Sequence, residues 1–106
     1  MTDISPTRLN KGEFEMFGNN QLLMVDPATG TFRRFLTGPV GCEITGLVFT
    51  PDGRTAFLNI QHPGEIGGES NDPANPRAHS NWPDYRADGR PRSATVVIQR
   101  NDGSAI

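Results

Sequence analysis

The 106 residues of the chain suffice for one small domain at most. The net charge is −2, and the ten basic residues are scattered, so we expect no nucleic-acid partner. No apolar run approaches the roughly 18 residues of a membrane span, and the first residues lack the basic and apolar regions of a secretion signal. We therefore expect neither membrane association nor a signal peptide in this reading frame, and the localisation stays unknown. The 12 glycines and 9 prolines favour many turns over long helices.

Residues 1–17 form a lead-in before the first clear structural signal. Residues 1–11 are polar and show no periodicity. From Glu13 to Phe17, apolar and acidic residues roughly alternate, which predicts a weak strand. Gly18 and the two asparagines after it end this pattern.

A first hairpin is predicted from Gln21 to Leu36. The apolar run Gln21–Asp26 and the run Thr31–Leu36 flank a short Pro- and Gly-containing turn. Asp26 with the following proline suits the start of a type I turn, and Gly30 accepts the positive φ needed to leave it. Turns of this kind usually join the outer strands of a propeller blade.

Three further strands are predicted after the Gly- and Pro-rich residues 37–42. The segments Glu43–Phe49 and Ala56–His62 flank a Pro-Asp-Gly turn in which Asp52 bonds the nearby backbone and Gly53 takes the left-handed conformation. Ser93–Arg100 is the clearest single strand of the chain. Together with the earlier segments, this gives about six strands and no convincing helix.

Residues 63–92 form a long loop between the last two predicted strands. The loop has five prolines, four glycines and few aliphatic residues. Thirty residues without periodicity exceed an ordinary connection, so the loop is either functional or disordered. We expect Trp82 and Tyr85 to anchor it by packing.

These elements predict an all-β fold of antiparallel sheets of the β-propeller blade type. One blade needs about 40–45 residues and four strands, so residues 18–106 supply about one and a half blades of a partial propeller. Isolated blades expose strand edges and cannot cover both faces. The chain is therefore expected either to form a homo-oligomer or to pack against the remaining blades of a longer protein.

The segment from Gly18 to Ile98 resembles the C-terminal part of the PhoX-type alkaline phosphatases, a bacterial propeller family. The resemblance rests on GNNQLLMVDPATGTFRRFLTGPVGCEITGLVFTPDGRTAFLNIQHPGE and, after the long loop, on RPRSATVVI. It implies a six-bladed propeller whose central channel holds calcium and iron ions and hydrolyses phosphomonoesters. It also implies export to the periplasm by a twin-arginine signal.

This sequence departs from the family pattern because it corresponds to only the final fifth or so of a family member. The first four blades and the ligands they supply, a metal-binding cysteine among them, are not in this sequence. Cys42 is the single cysteine here and stands in a different context. We therefore expect the chain by itself to be inactive or nearly so.

Glu43 is the first candidate metal ligand. It opens a strand directly after a glycine-rich loop, and the first strand of a propeller blade lines the channel. A carboxylate at that position suits a hard cation such as calcium, and the matching family glutamate looks like a channel residue. The alternative is a solvated charge at a strand start.

Gln61, His62 and Glu65 form a second candidate group. Imidazole and carboxylate bind iron and other transition metals. Strand alternation places Gln61 and His62 on opposite faces, so the three side chains converge only if the Pro63-Gly64 turn re-aims Glu65. The alternative, which we favour for His62, is a strand-ending turn whose polar groups cap the backbone.

Arg92 is the candidate phosphate-binding residue because it lies where the last strand begins and because a guanidinium group can form bidentate hydrogen bonds with a phosphate. The loop residues that accompany it are Arg90, His79, Asn81 and Asp84. Surface arginines without such a role are far commoner.

Three hypotheses follow from the sequence. The first is the C-terminal segment of a metal-dependent phosphomonoesterase, acting on phosphate esters only within a complete propeller. The second is a non-catalytic module that completes a propeller or assembles with copies of itself by strand addition. The third is a truncated gene product without a selected role.

Overall fold

The computed structural model describes residues 4–5, 7–66 and 72–106. Five strands form two antiparallel sheets, one of two strands and one of three, in the order β1-β2 and β3-β4-β5. A single 3-10 turn at Gly12–Phe14 is the one helical element among these residues. The strands are β1 (Gln21–Asp26), β2 (Thr31–Thr37), β3 (Glu43–Phe49), β4 (Thr55–Gln61) and β5 (Ala94–Gln99). In the described part of the chain no helix is long and apolar enough to cross a membrane.

The β1–β2 hairpin closes through the side chain of Asp26. One carboxylate oxygen accepts a hydrogen bond from the Ala28 amide at 2.9 Å, and the other accepts one from the Thr29 hydroxyl at 3.0 Å. The Gly30 amide donates to the Asp26 carbonyl at 2.8 Å, and Gly30 has a φ of 68°. The predicted hairpin and its left-handed glycine are thus confirmed.

The β3–β4 hairpin turns through the predicted Pro-Asp-Gly sequence. Asp52 Oδ1 accepts hydrogen bonds from the Thr50 hydroxyl at 2.6 Å and from the Arg54 amide at 3.1 Å. Gly53 has a φ of 66°, which few side chains tolerate. Asp52 is therefore a turn-forming residue, as its place between two apolar strands predicts.

A β-bulge in β3 sets which residues meet at the far end of this hairpin. Near the turn, Phe49 lies opposite Ala56, but beyond the irregularity between Thr45 and Val48 the partner of Glu43 is Gln61. Gly46 lies inside the irregularity with a φ of 65°. An extra residue at such a point shifts the pairing by one and bends the strand.

The two sheets share one small core. Its buried members come from β1, β3, β4 and the connection before β3, and partly buried residues of β2, β3, β5 and the long loop pack on them. The buried members are Leu22, Cys42, Ile44, Leu58 and Ile60, and the surrounding ones are Phe35, Leu36, Leu47, Trp82, Val96 and Ile98. The opposite face of the three-stranded sheet is partly open, since Val97 and Val48 on it are exposed.

Two sequence-based predictions were wrong in detail. The weak strand at Glu13–Phe17 is instead a 3-10 turn followed by further turns, because the Phe14 and Glu15 amides donate to carbonyls three residues earlier. Within the long loop, Trp82 packs on the core as expected, but Tyr85 is exposed and anchors nothing. An alternating pattern of a few residues does not form a strand without a neighbour to pair with.

Stability should fall in acid because three turn aspartates are better hydrogen-bonded when ionised. Backbone and hydroxyl donors hold the pKa of Asp26, Asp52 and Asp102 below the ordinary value of 3.8. A depressed pKa in the folded state gives stability that is present above the unfolded value and is lost as the pH falls through the folded value. We expect the urea midpoint to be level from about pH 5 to 7 and to fall below about pH 4. Asp52→Asn should flatten this fall, and an unchanged Asp52→Asn profile would contradict the assignment.

Candidate functional site

The candidate metal ligands Glu43 and His62 meet at one end of the three-stranded sheet. Glu43 begins β3, and His62 follows the last residue of β4, which pairs with Glu43. His62 Nε2 lies 3.7 Å from Glu43 Oε2, and both side chains are partly exposed. The bulge therefore places an imidazole and a carboxylate diagonally across the hairpin, at its open end.

The other nitrogen of the His62 ring is held by two acceptors. Nδ1 lies 3.1 Å from Glu65 Oε2 and 3.2 Å from the Gly41 carbonyl oxygen. The Pro63-Gly64 turn does re-aim Glu65, and His62 itself has a φ of 36° that begins the turn. Two acceptors at Nδ1 favour a hydrogen on that nitrogen, and Nε2 lies on the side of Glu43.

These side chains fit a metal ion as contributors to its ligand set. A carboxylate and an imidazole whose far nitrogen is hydrogen-bonded to a carbonyl and a second carboxylate match the usual arrangement around metal-binding histidines. Among the described residues, however, no three His, Cys, Asp or Glu side chains gather closely enough to hold a metal ion. Other ligands would have to come from outside the described part of the chain.

Sequence reasoning missed two further groups that hold His62, the Gly41 carbonyl and the Ser93 hydroxyl. Besides the Gly41 carbonyl, the hydroxyl of Ser93 accepts a hydrogen bond from the His62 amide at 3.1 Å and so ties the end of β4 to the start of β5. Glycine at position 41 was visible in the sequence as part of a loop, but nothing in the spacing pointed to its carbonyl. Gln61 stays on β4, where it pairs with Glu43.

Arg92 lies close to this end of the sheet but is already paired. Its Nη2 and Nε donate to the two carboxylate oxygens of Asp84 at 2.9 and 3.2 Å. Hydrogen bonding to Asp84 raises the pKa of Arg92 above its ordinary value. The N–H groups of Nη1 and the second one of Nη2 can still donate to another acceptor. The phosphate contact stays a prediction, and the pair with Asp84 limits the directions from which a phosphate can approach.

A cleft of about 390 Å³ opens beside the Glu65 turn. Its lining combines the imidazole of His62 with loop groups of both charges, among them Glu65, Asp72, His79 and Arg90. Of the loop residues suggested by sequence, His79 and Arg90 thus come near His62, whereas Asp84 is occupied with Arg92. The cleft is open to solvent, and four prolines share its lining with these polar groups.

Cys42 lies in the core and does not belong to this group. Its residue is 1% exposed, and burial raises the pKa of its thiol to about 11. The thiolate is the form that binds metals and attacks electrophiles. Cys42 is therefore a packing residue.

Thiol modification should report this burial directly. We expect the native chain at pH 8 to react with Ellman's reagent at least about 100-fold more slowly than the chain unfolded in guanidinium, because few native molecules carry an exposed thiolate. The time course of released thionitrobenzoate measures both rates. Rapid stoichiometric reaction of the native chain would show that Cys42 is accessible.

The fold defines an all-β protein of the propeller-blade class, with an imidazole and two carboxylates gathered at one end of a sheet. The family model of alkaline phosphatase PhoX matches residues 2–64, and the chain belongs to this family. The solved structure of Pseudomonas fluorescens PhoX in complex with vanadate, a transition state analogue, is 47% identical with a TM-score of 0.74, over 92% of this chain and 15% of that chain. No curated protein matches.

These comparisons confirm the resemblance proposed from the sequence and the all-β partial-propeller class. The chain spans only 15% of the length of the solved relative.

Proposed function

We propose that this chain is the segment of a PhoX-type, metal-dependent phosphomonoesterase that carries part of its metal and phosphate site, and that it does not turn over substrate alone. The observation that carries the proposal is the His62 ring, held at Nδ1 by Gly41 and Glu65 with Nε2 toward Glu43. The solved relative binds vanadate, described as a transition state analogue. Phosphoryl transfer is accordingly the chemistry we propose for the complete propeller.

Calcium and iron are the metals we propose for that site. Glu43 would offer carboxylate oxygen, which calcium prefers, and His62 Nε2 would suit iron. Bound metal would polarise phosphoryl oxygens and neutralise developing charge. Gly41 and Glu65 fix the orientation of the imidazole, and Glu65 adds negative charge beside it.

Arg92 is proposed as a phosphate contact from the rim of this end of the sheet. Asp84 holds the guanidinium plane through Nε and Nη2, so the two N–H groups of Nη1 and the second N–H of Nη2 can donate to a further acceptor without breaking the pair. A positioned arginine loses less freedom on binding an anion than a mobile one does.

The isolated chain tests the inactivity part of the proposal. With p-nitrophenyl phosphate, calcium and iron, we expect no turnover above the metal blank, because two or three ligands do not complete a site. Robust turnover that copurifies with the folded chain would contradict this part.

Glu43 is tested in a graft in which this chain replaces the matching segment of the Pseudomonas fluorescens enzyme. We expect Glu43→Gln to lower kcat/KM and bound metal by at least about tenfold, because the charged ligand is lost while its shape is kept. Glu13→Gln, on the exposed 3-10 turn, is the matched control and should change neither quantity. Equal activity and metal content in the two variants would remove Glu43 from the site.

A second candidate function is a non-catalytic module that adds strands to a partner. The specific observation in its favour is the uncharged outer edge of β5, which no described strand covers.

A further inference from the structure

His62 carries its imidazole on a backbone conformation that other groups must hold. Its φ of 36° lies in the left-handed region, which residues other than glycine rarely adopt. Such a conformation persists only where the surrounding structure fixes it. Because Cβ moves with the backbone, the distance of 3.7 Å between His62 Nε2 and Glu43 Oε2 depends on what keeps the backbone of His62 in place.

The hydroxyl of Ser93 holds the amide of His62 from a neighbouring element. The pairing of β4 with β5 ends at Ile60 and Ala94, so His62 lies two residues beyond it. At this point the His62 amide donates a hydrogen bond to Ser93 Oγ at 3.1 Å. The carbonyl of His62 accepts within its own turn, from the Glu65 amide at 3.1 Å. The hydroxyl thus ties the backbone of His62 to the start of β5.

We propose that Ser93 is a positioning residue, which keeps the imidazole of His62 beside Glu43 by holding the His62 amide. The six residues after Ser93 pair with β4 without a register shift, so the hydroxyl is fixed relative to the end of that strand. Without the hydroxyl, the amide turns to water and φ returns to the extended region that a residue with a Cβ prefers. The ring then leaves Glu43 and the acceptors at Nδ1. The consequence for metal binding rests on the function proposed above.

Ser93 lies on the surface, so its effect on His62 is separable from an effect on folding. The residue is exposed and does not belong to the shared core. Truncation to alanine removes one hydroxyl and leaves no cavity, and surface changes of this kind alter stability little. We therefore expect Ser93→Ala to keep nearly the urea midpoint of the natural chain.

Nuclear magnetic resonance of the chain tests the positioning directly. In Ser93→Ala we expect the ring-proton signals of His62 to move and the coupling between its amide and α protons to rise toward the value of extended backbone. Ser93→Thr keeps the hydroxyl and should give the natural spectrum. Ser80→Ala is the matched control, because Ser80 Oγ accepts the Trp82 amide at 3.2 Å in the same loop. An unmoved His62 in Ser93→Ala, or equal changes in Ser80→Ala, would overturn the proposal.

Metal content of the graft described above measures the consequence for the site. With calcium and ferrous iron supplied, we expect Ser93→Ala to bind metal at least about tenfold more weakly, because groups that orient a ligand have effects of this size. Ser93→Thr and Ser80→Ala should bind as the unsubstituted graft does. Unchanged metal affinity in Ser93→Ala would contradict the proposal. A folded but metal-free unsubstituted graft would instead contradict the proposed function, while the spectrum of the chain still decides the role of Ser93.

Discussion

Leu58→Ala is expected to lower the free energy of unfolding by about 2–5 kcal/mol, the usual range for a buried leucine. Leu58 is 0% exposed in the middle of β4, which pairs with β3 on one side and β5 on the other. Its side chain belongs to the core that the two sheets share. The free energy of unfolding of a small domain is itself only a few kcal/mol, so this loss should leave much of the protein unfolded at room temperature.

Circular dichroism in a urea titration measures this effect. Val97→Ala is the matched control, because it also truncates an apolar residue of the same sheet but on the exposed face. We expect the control to lie within about 1 kcal/mol of the natural chain. Similar midpoints for Leu58→Ala and Val97→Ala would mean that the shared core is absent in solution.

Gly41→Ala is expected to be the second large effect, with a loss of about 3 kcal/mol. Gly41 has a φ of 68°, and a Cβ built there overlaps the backbone of Glu65. The neighbouring Val40 carbonyl accepts the Gly64 amide at 2.6 Å, so the loop before β3 and the turn after β4 pack backbone to backbone. Alanine must push this turn away, and His62 and Glu65 with it.

Gly103→Ala separates the two causes of this loss, the left-handed backbone conformation and the overlap with the Glu65 backbone. Gly103 has a φ of 69° but nothing within 4 Å of an added Cβ, so it measures the left-handed strain alone, about 1 kcal/mol. The difference in urea midpoint between the two variants then reports the backbone overlap. The NMR signals of the His62 ring should move in Gly41→Ala only. Equal midpoints and an unmoved ring would show that the two backbones do not touch.

The strands were predictable because their signals are local. Alternating or continuous apolar runs bounded by Asp-Pro, Pro-Asp-Gly and Asn-Asp-Gly sequences gave all five strands to within a residue at each end. Gly30 and Gly53 were predictable from turn chemistry for the same reason. The segment Glu13–Phe17 failed because a strand also needs a partner, which a local pattern does not supply.

The site was predictable only in part because it depends on register. Glu43 and His62 were both singled out, but a regular hairpin counted back from the Pro-Asp-Gly turn would set them directly opposite each other. The bulge at Gly46 moves His62 by one residue, to the turn where Gly41 and Glu65 hold it. The pairing of Arg92 with Asp84 could not be predicted from the sequence, because the conformation of residues 84–92 follows no periodic pattern.

Hydrolysis of p-nitrophenyl phosphate by the graft tests the central claim most directly. If these strands and the Glu43–His62 end belong in a PhoX propeller, the graft should keep kcat/KM within about tenfold of the parent enzyme, a difference of about 1.4 kcal/mol. A graft that folds and binds metal like the parent but hydrolyses no more substrate than the metal blank would contradict the account.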